Sequence, residues 1–252
     1  MKGHVSDNRG ADCEADLPSD CRKVDATKTT GIILGGGVGT RFKHDIPKQF
    51  LPIGGRPMIV HTVEAFERAP SIDAIVVAVP AGWEQRCREE FRPYGFTKVQ
   101  GIIAGGETRQ LSCWQVLQYL KEDPPHLCVI HDAARPLVTE AMIAAAVAGG
   151  AEGMTFGLRA VDTIAECRDG VIMRVLPREQ LYQVQTPQAF PFTTLWDAHS
   201  RALEAGITDA SDDAGLVLQS GNRVTVLEGD PRNIKITGPD DLKRVEHLLR
   251  NG

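Results

Sequence analysis

One loop of this chain flanks a glycine-rich turn with positive charge in a way that suits phosphate chemistry. Leu34-Gly35-Gly36-Gly37-Val38-Gly39-Thr40-Arg41-Phe42 is followed shortly by Pro47-Lys48-Gln49-Phe50. Glycine lets the backbone approach a ligand closely, so that successive amides cradle a phosphate. Arg41 and Lys48 flank that turn, and fixed cations are what stabilise the charge gathering on phosphoryl oxygens during transfer. The other reading of the same pair is two solvated loop charges. The two common phosphate motifs do not match here. A P-loop needs Lys-Ser/Thr after its last glycine. The dinucleotide fingerprint GxGxxG meets Thr40 or Phe42 where its third glycine belongs, which speaks against a nicotinamide-dependent dehydrogenase.

Two further loops carry candidate groups. Ala104-Gly105-Gly106-Glu107-Thr108-Arg109-Gln110-Leu111-Ser112 offers backbone amides and a helix N-terminus. It also reads as a plain turn capped by Thr108. His131-Asp132-Ala133-Ala134-Arg135-Pro136 places a carboxylate at a strand end. Asp132 there suits a Mg²⁺ ion or a substrate hydroxyl, and it equally suits a buried pair with Arg135. His131 has no second ligand at metal spacing and reads as structural.

The elements that must position these loops follow from periodicity. Ile32 to Leu34, Ala74 to Val79, Val99 to Ile103 and Leu127 to Ile130 are short β-branched or apolar runs. Each is followed by a helical pattern, at 58–68 (with Pro57 as the first helical residue), 83–91, 108–119 and from the Thr139 cap to Val147. Such alternation predicts an α/β fold with a doubly wound, mostly parallel, Rossmann-like sheet, whose ligands bind at the carboxyl ends of the strands. The pattern breaks over about 156–185. There, runs at 161–164 and 171–175 flank Arg168-Asp169-Gly170, a hairpin signal. This small arm cannot bury a core of its own and is expected to pack on another surface, such as a second subunit. Helices at 193–205 and 212–219, a strand at 223–227 and a helix at 239–249 complete the domain, 31–252. Residues 1–30 are polar and aperiodic, and read as a disordered tail without the apolar stretch of a secretory signal.

Composition narrows the function class. The net charge of −5 opposes a nucleic-acid-coating protein, though not one that binds a small anion. No apolar run is long enough for a membrane span. Six scattered cysteines without a CxxC pair fit reduced thiols in the cytoplasm rather than a zinc site or disulfide scaffold.

Seven strings occur in one order: LGGGVGTRF with PKQF, GGETRQLS, HDAARP, VDT, PRE-LY-QTPQ, and NIKIT before a last helix. Together they resemble the 2-C-methyl-D-erythritol 4-phosphate cytidylyltransferases of isoprenoid precursor synthesis, across nearly all of 31–249. The resemblance implies transfer of a cytidylyl group from CTP to a polyol phosphate, with Mg²⁺ and release of pyrophosphate. Arg41, Lys48 and Lys235 would act on the α-phosphate. Leu34, Gly35, Gly36, Gly37, Gly39, Gly106 and Ser112 would hold the nucleotide. Asp132 would face substrate hydroxyls and Mg²⁺, with Thr186 and Ser211 beside the substrate. Lys235 would also meet the incoming phosphate; from the residues alone it reads as an exposed strand-end charge. Thr163 and Arg178, on an arm exchanged within a homodimer, would bind the acceptor phosphate of the neighbouring site. Several positions depart from the family pattern: Leu34-Gly35-Gly36-Gly37 for Pro-Ala-Ala-Gly, Phe42 for Met, Ser211 to Gly215 for Thr-Asp-Asp-Ala-Ser, and Tyr182 for Trp. These lean toward the related ribitol-5-phosphate cytidylyltransferases, which leaves the acceptor open. A non-catalytic nucleotide-binding protein on the same fold is the alternative of another class.

Overall fold

The computed structural model describes residues 25–36 and 46–251. Besides short 3-10 turns at Lys48–Phe50, Arg92–Tyr94, Gly150–Glu152 and Arg178–Gln180, the elements in chain order are β1 (Asp25–Leu34), β2 (Pro52–Ile53), β3 (Arg56–Pro57), α1 (Met58–Arg68), β4 (Ala74–Val79), α2 (Glu84–Phe91), β5 (Val99–Ala104), α3 (Arg109–Leu120), β6 (Pro125–Asp132) and α4 (Glu140–Gly149). There follow β7 (Met154–Arg159), β8 (Ile164–Arg168), β9 (Val171–Leu176), β10 (Tyr182–Pro191), α5 (Phe192–Glu204), α6 (Asp213–Gln219), β11 (Thr225–Glu228) and α7 (Pro239–Asn251).

Seven strands form one sheet in the order β11-β7-β10-β6-β1-β4-β5. The β1–β4, β4–β5, β1–β6 and β7–β11 pairs are parallel, while β10 runs antiparallel to both β6 and β7. Central strands covered on both faces should be apolar throughout, and all six residues of β4 are buried. The two-residue period of a strand then divides the core. Ile33, Val77 and Val129 face a layer built by α1, α2 and α4, whereas Ile32, Val76 and Ile130 face α3, α5 and α6. A third, smaller cluster packs α7 (Val245) against Ile53, Met58, Ala134 and Ile236.

The chain goes out from β1 to β4 and β5, then returns to place β6 on the other side of β1. That reversal leaves a crevice above the carboxyl ends of β1 and β6, where Leu34 pairs with Asp132. Thr108 and Thr139 cap α3 and α4 by accepting from the amides of Leu111 and Met142.

Several expectations are corrected. β1 begins at Asp25, inside the segment read as tail, because Thr29 and Thr30 are buried alongside β6. Pro57 precedes α1 rather than opening it, since pairing with Pro52 keeps it extended. The flanks of the arm, β7 and β10, belong to the main sheet, and Val161 to Thr163 are not in a strand. The arm itself is β8 and β9, joined by a two-residue turn with Asp169 and Gly170 at φ 50° and 81°. Positive φ at both turn residues is what a tight hairpin with right-twisted strands requires.

Candidate active site

The crevice gathers residues from five separate segments. Its walls include Leu34 and Gly35 at the end of β1, Lys48 and Gln49, Arg109 at the start of α3, Asp132 to Ala134, and Lys235. The loops are extensions of the strand ladder: the Gly35 amide donates to Ala78 (2.8 Å), Gly105 to Val79 (2.7 Å) and Ala133 to Leu34 (2.9 Å). Gln49, almost fully buried, donates its side-chain amide to the Gly35 carbonyl. Gly36 lies directly against the Ser112 side chain, so a β-carbon there would collide with it. The first two glycine turns are therefore pressed together, and the Ser112 hydroxyl donates to the Thr108 carbonyl at 2.8 Å and accepts from the Gly106 amide at 3.1 Å.

Asp132 is the centre of charge. Its Oδ1 accepts from Arg109 Nε at 3.0 Å, its Oδ2 from Lys235 Nζ at 2.6 Å, and Arg135 Nε stands 3.9 Å away. The expected pairing with Arg135 is thus the weakest of three. Burial alone would raise the Asp132 carboxyl, but Arg109, Lys235 and Arg135 outweigh it and hold it well below the usual carboxylate range. Arg109 in turn donates from Nη1 to Asp213 at 2.7 Å. Lys48 donates to the Ile236 carbonyl at 3.0 Å, which ties the first loop to the segment bearing Lys235.

Behind Asp132, hydrogen bonds have a fixed direction. Burial pushes His131 down to about 4, so it is neutral near pH 7. Its Nε2 faces the Arg135 carbonyl at 3.1 Å and must carry the proton, which leaves Nδ1 to accept from Thr186 Oγ1 at 3.0 Å. Thr186 Oγ1 then accepts from the Asp132 amide at 3.2 Å. His131 and Thr186 hold the Asp132 turn in place.

The structure brings Leu34, Gly35, Lys48, Asp132 and Lys235 together around one cleft, with Gly36, Gly106 and Ser112 forming the adjoining turns. Gly37, Gly39 and Arg41 lie outside the described residues. Lys235 is half-buried and ion-paired rather than an exposed end charge. Thr163 and Arg178 do not line this cleft: both sit at the root of the arm, where Arg178 Nη1 donates to the Val161 carbonyl at 2.8 Å. Ser211 is exposed just before α6. Arg109, Gln49 and Asp213 are the residues that reading the loops missed. All three stand inside strings already singled out, but nothing local distinguishes a side chain that points inward from one that is solvated.

The model of the 2-C-methyl-D-erythritol 4-phosphate cytidylyltransferase (IspD) family matches residues 30–251. This chain belongs to that family. It is 42% identical over 221 residues to the 2-C-methyl-D-erythritol 4-phosphate cytidylyltransferase of Syntrophotalea carbinolica, a match that covers 86% of the chain and 94% of the relative. A Thermus thermophilus structure bearing the same cytidylyltransferase name is 32% identical with a TM-score of 0.71, covering 87% of this chain and 98% of that one. The ribitol-5-phosphate cytidylyltransferase of Streptococcus agalactiae serotype III is also similar, at 35% identity over 84% of the chain and 91% of the relative. No helix among the described residues is long and apolar enough to cross a membrane.

Proposed function

We propose that the chain transfers the cytidylyl group of CTP to 2-C-methyl-D-erythritol 4-phosphate, with release of pyrophosphate, in the non-mevalonate route to isoprenoid precursors. The observation that carries this reading is the Lys48–Asp132–Lys235 cluster in the β1–β6 crevice of a chain from this family. In the step, an oxygen of the acceptor phosphate bonds to the α-phosphorus while the bridge to the β-phosphate breaks and its electrons leave with pyrophosphate. The nucleophile is already an anion and needs no general base. What the protein must supply is alignment and positive charge, because both reactants repel. An ammonium has three donors; Asp132 takes one from Lys235 and leaves two for phosphate oxygens. Lys48, hydrogen-bonded to the Ile236 carbonyl beside Lys235, joins it, with Arg41 assigned to the same α-phosphate. Leu34 and the glycines to Gly39 hold the triphosphate, while Gly106 and Ser112 shape the base end.

Mg²⁺ fits this crevice in one limited way. Asp132 is the single carboxylate among the described lining residues, and both its oxygens already accept from cations. That donor set builds no Mg²⁺ site by itself: the ion would be held mainly by triphosphate oxygens and water, touching Asp132 only through a remaining lone pair. Bound there, the ion would neutralise charge on the triphosphate.

The arm supports a homodimer. Val161, Val171, Ile172, Met173 and Val175 are between 56% and 79% exposed, more apolar surface than a free two-stranded ribbon would display without a partner. Across such a dimer Thr163 and Arg178 would reach the acceptor phosphate in the other subunit's crevice, with Thr186 and Ser211 nearer the acceptor than the base. The four described cysteines are free, in keeping with a cytoplasmic enzyme.

A second acceptor is favoured by one observation, the similarity to ribitol-5-phosphate cytidylyltransferases. Pyrophosphate release from CTP with methylerythritol, ribitol or glycerol phosphate separates the readings. Methylerythritol 4-phosphate is expected to give the highest kcat/KM; a preference for ribitol 5-phosphate would overturn the acceptor, and no release with any would overturn the reaction.

A further inference from the structure

The Asp132 cluster does not end at the cleft. Arg109 bridges two carboxylates, Asp132 through Nε (3.0 Å) and Asp213 through Nη1 (2.7 Å). The other oxygen of Asp213 faces His199 Nε2 at 2.9 Å, and neither side chain of that pair is exposed at all. The order from the interior to the cleft is thus His199, Asp213, Arg109, Asp132, Lys235, with each contact at hydrogen-bonding distance.

Asp213 is itself held rigidly. Gln188, on β10, accepts from the amides of Asp213 (3.1 Å) and Ala214 (3.2 Å), and it donates to Asp212 Oδ2 at 3.0 Å. Asp212 Oδ1 caps α6 through the Gly215 amide at 3.1 Å. The first turn of α6 is therefore fastened to the sheet, and the carboxylate is presented to Arg109 from a fixed point.

We propose that Asp213, backed by His199, is a positioning residue for cytidylyl transfer: it fixes the Arg109 guanidinium, and through it the Asp132 carboxylate that anchors Lys235. The inference rests on the functional reading above. Arg109 is a side chain with many rotamers in a cleft wall, and one carboxylate contact restrains it poorly; opposing carboxylates on Nε and Nη1 fix the plane of the guanidinium. A displacement of about 1 Å at such a position is enough to slow a reaction about a hundredfold.

Asp213, His199 and Cys113 also lie close enough to suggest a metal site. The charges oppose that. Both Asp213 oxygens are taken by Arg109 and His199, and burial beside Asp213 keeps the Cys113 thiol protonated. A cation would have to displace the guanidinium.

The test compares Asp213→Asn, His199→Ala and His199→Gln in steady-state cytidylyl transfer, with melting curves alongside. For Asp213→Asn, kcat/KM for the acceptor should fall about ten- to a hundredfold, while KM for CTP changes less than about threefold. His199→Ala should show a smaller loss with the same split, and His199→Gln should restore most of it, because the amide can still donate to Asp213. If Asp213→Asn does not fold, the two His199 variants decide. Folded variants with wild-type kcat/KM would overturn the inference alone. So would losses that hit both substrates equally and merely track the folded fraction. A wild-type protein without pyrophosphate release from any acceptor would overturn the functional reading and this inference together.

Discussion

Around Asp132 the carboxylate is almost fully buried and accepts from two cations, Arg109 and Lys235, at hydrogen-bonding distance. Along β8 and β9 the arrangement is reversed: apolar side chains stand in solvent and the strands pair only with each other. The first region is pinned within one chain, with Arg109 Nη2 and Arg135 Nε left without a hydrogen-bond partner among the described residues, whereas the second carries apolar surface that a single chain leaves open. Local geometry in the crevice should therefore respond to single substitutions, and the arm should respond to association.

The largest effect is expected in the crevice. Lys235→Ala leaves Asp132 paired with Arg109 and near Arg135, so the fold should survive, while cytidylyl transfer drops about a hundred- to a thousandfold. Near-normal turnover in a folded Lys235→Ala protein would remove Lys235 from the chemistry and weaken the comparison at its stronger end. On the arm, Ile172→Asp combined with Val175→Asp alters only exposed positions, so the melting temperature should stay within roughly 2 °C where folding is measured on the isolated chain. Sedimentation should instead shift from dimer to monomer, and activity should fall with it. An active wild-type monomer at micromolar concentration would contradict the assigned role of the arm.

The smallest effect is one of stability against pH. His131 sits at about 4 in the fold against an ordinary 6.5. Between those values the unfolded chain binds a proton that the folded chain refuses. Stability therefore rises with pH across this window and is lost as the pH falls from about 6.5 towards 4, on the order of 3 kcal/mol at full effect. His61, also lowered by burial, adds to the same slope. Asp132 and Asp213, held low in the fold, contribute stability above the ordinary carboxylate range that fades only in stronger acid. Melting curves at pH 7 and 4.5 should separate the wild type from His131→Gln, the variant losing less. Equal losses would mean that His131 is not the titrating group.

Much of the frame is legible in residue order. The run from Ala74 to Val79 and the helix at Met58–Arg68 have the bounds that hydrophobic pattern predicts, because burial on both faces or on one stripe is written locally. β7 and β10 are less legible. Met154–Arg159 contains glycine and threonine, and Tyr182–Pro191 is rich in glutamine; their strand character comes from pairing across the sheet. The same division runs through the site. Lys48 and Asp132 stand beside glycine turns or strand ends, positions that mark themselves. Asp213 and His199 lie on α6 and α5, and the contact with Arg109 spans about a hundred residues of sequence, a distance no spacing rule reports.

The root of the arm is closed by the Ala160 amide donating to the Leu181 carbonyl at 2.9 Å, directly beyond the Arg159–Tyr182 pair of β7 and β10. Segment 161–180 is thus an elongated loop between two neighbouring antiparallel strands, and the sheet register beneath does not depend on what that loop contains. A change in its length or side chains therefore leaves the β7–β10 pairing below it in place. On the proposed assignment of Thr163 and Arg178 to the acceptor phosphate, a change confined to this loop would alter acceptor binding while leaving the strands that carry the crevice in place.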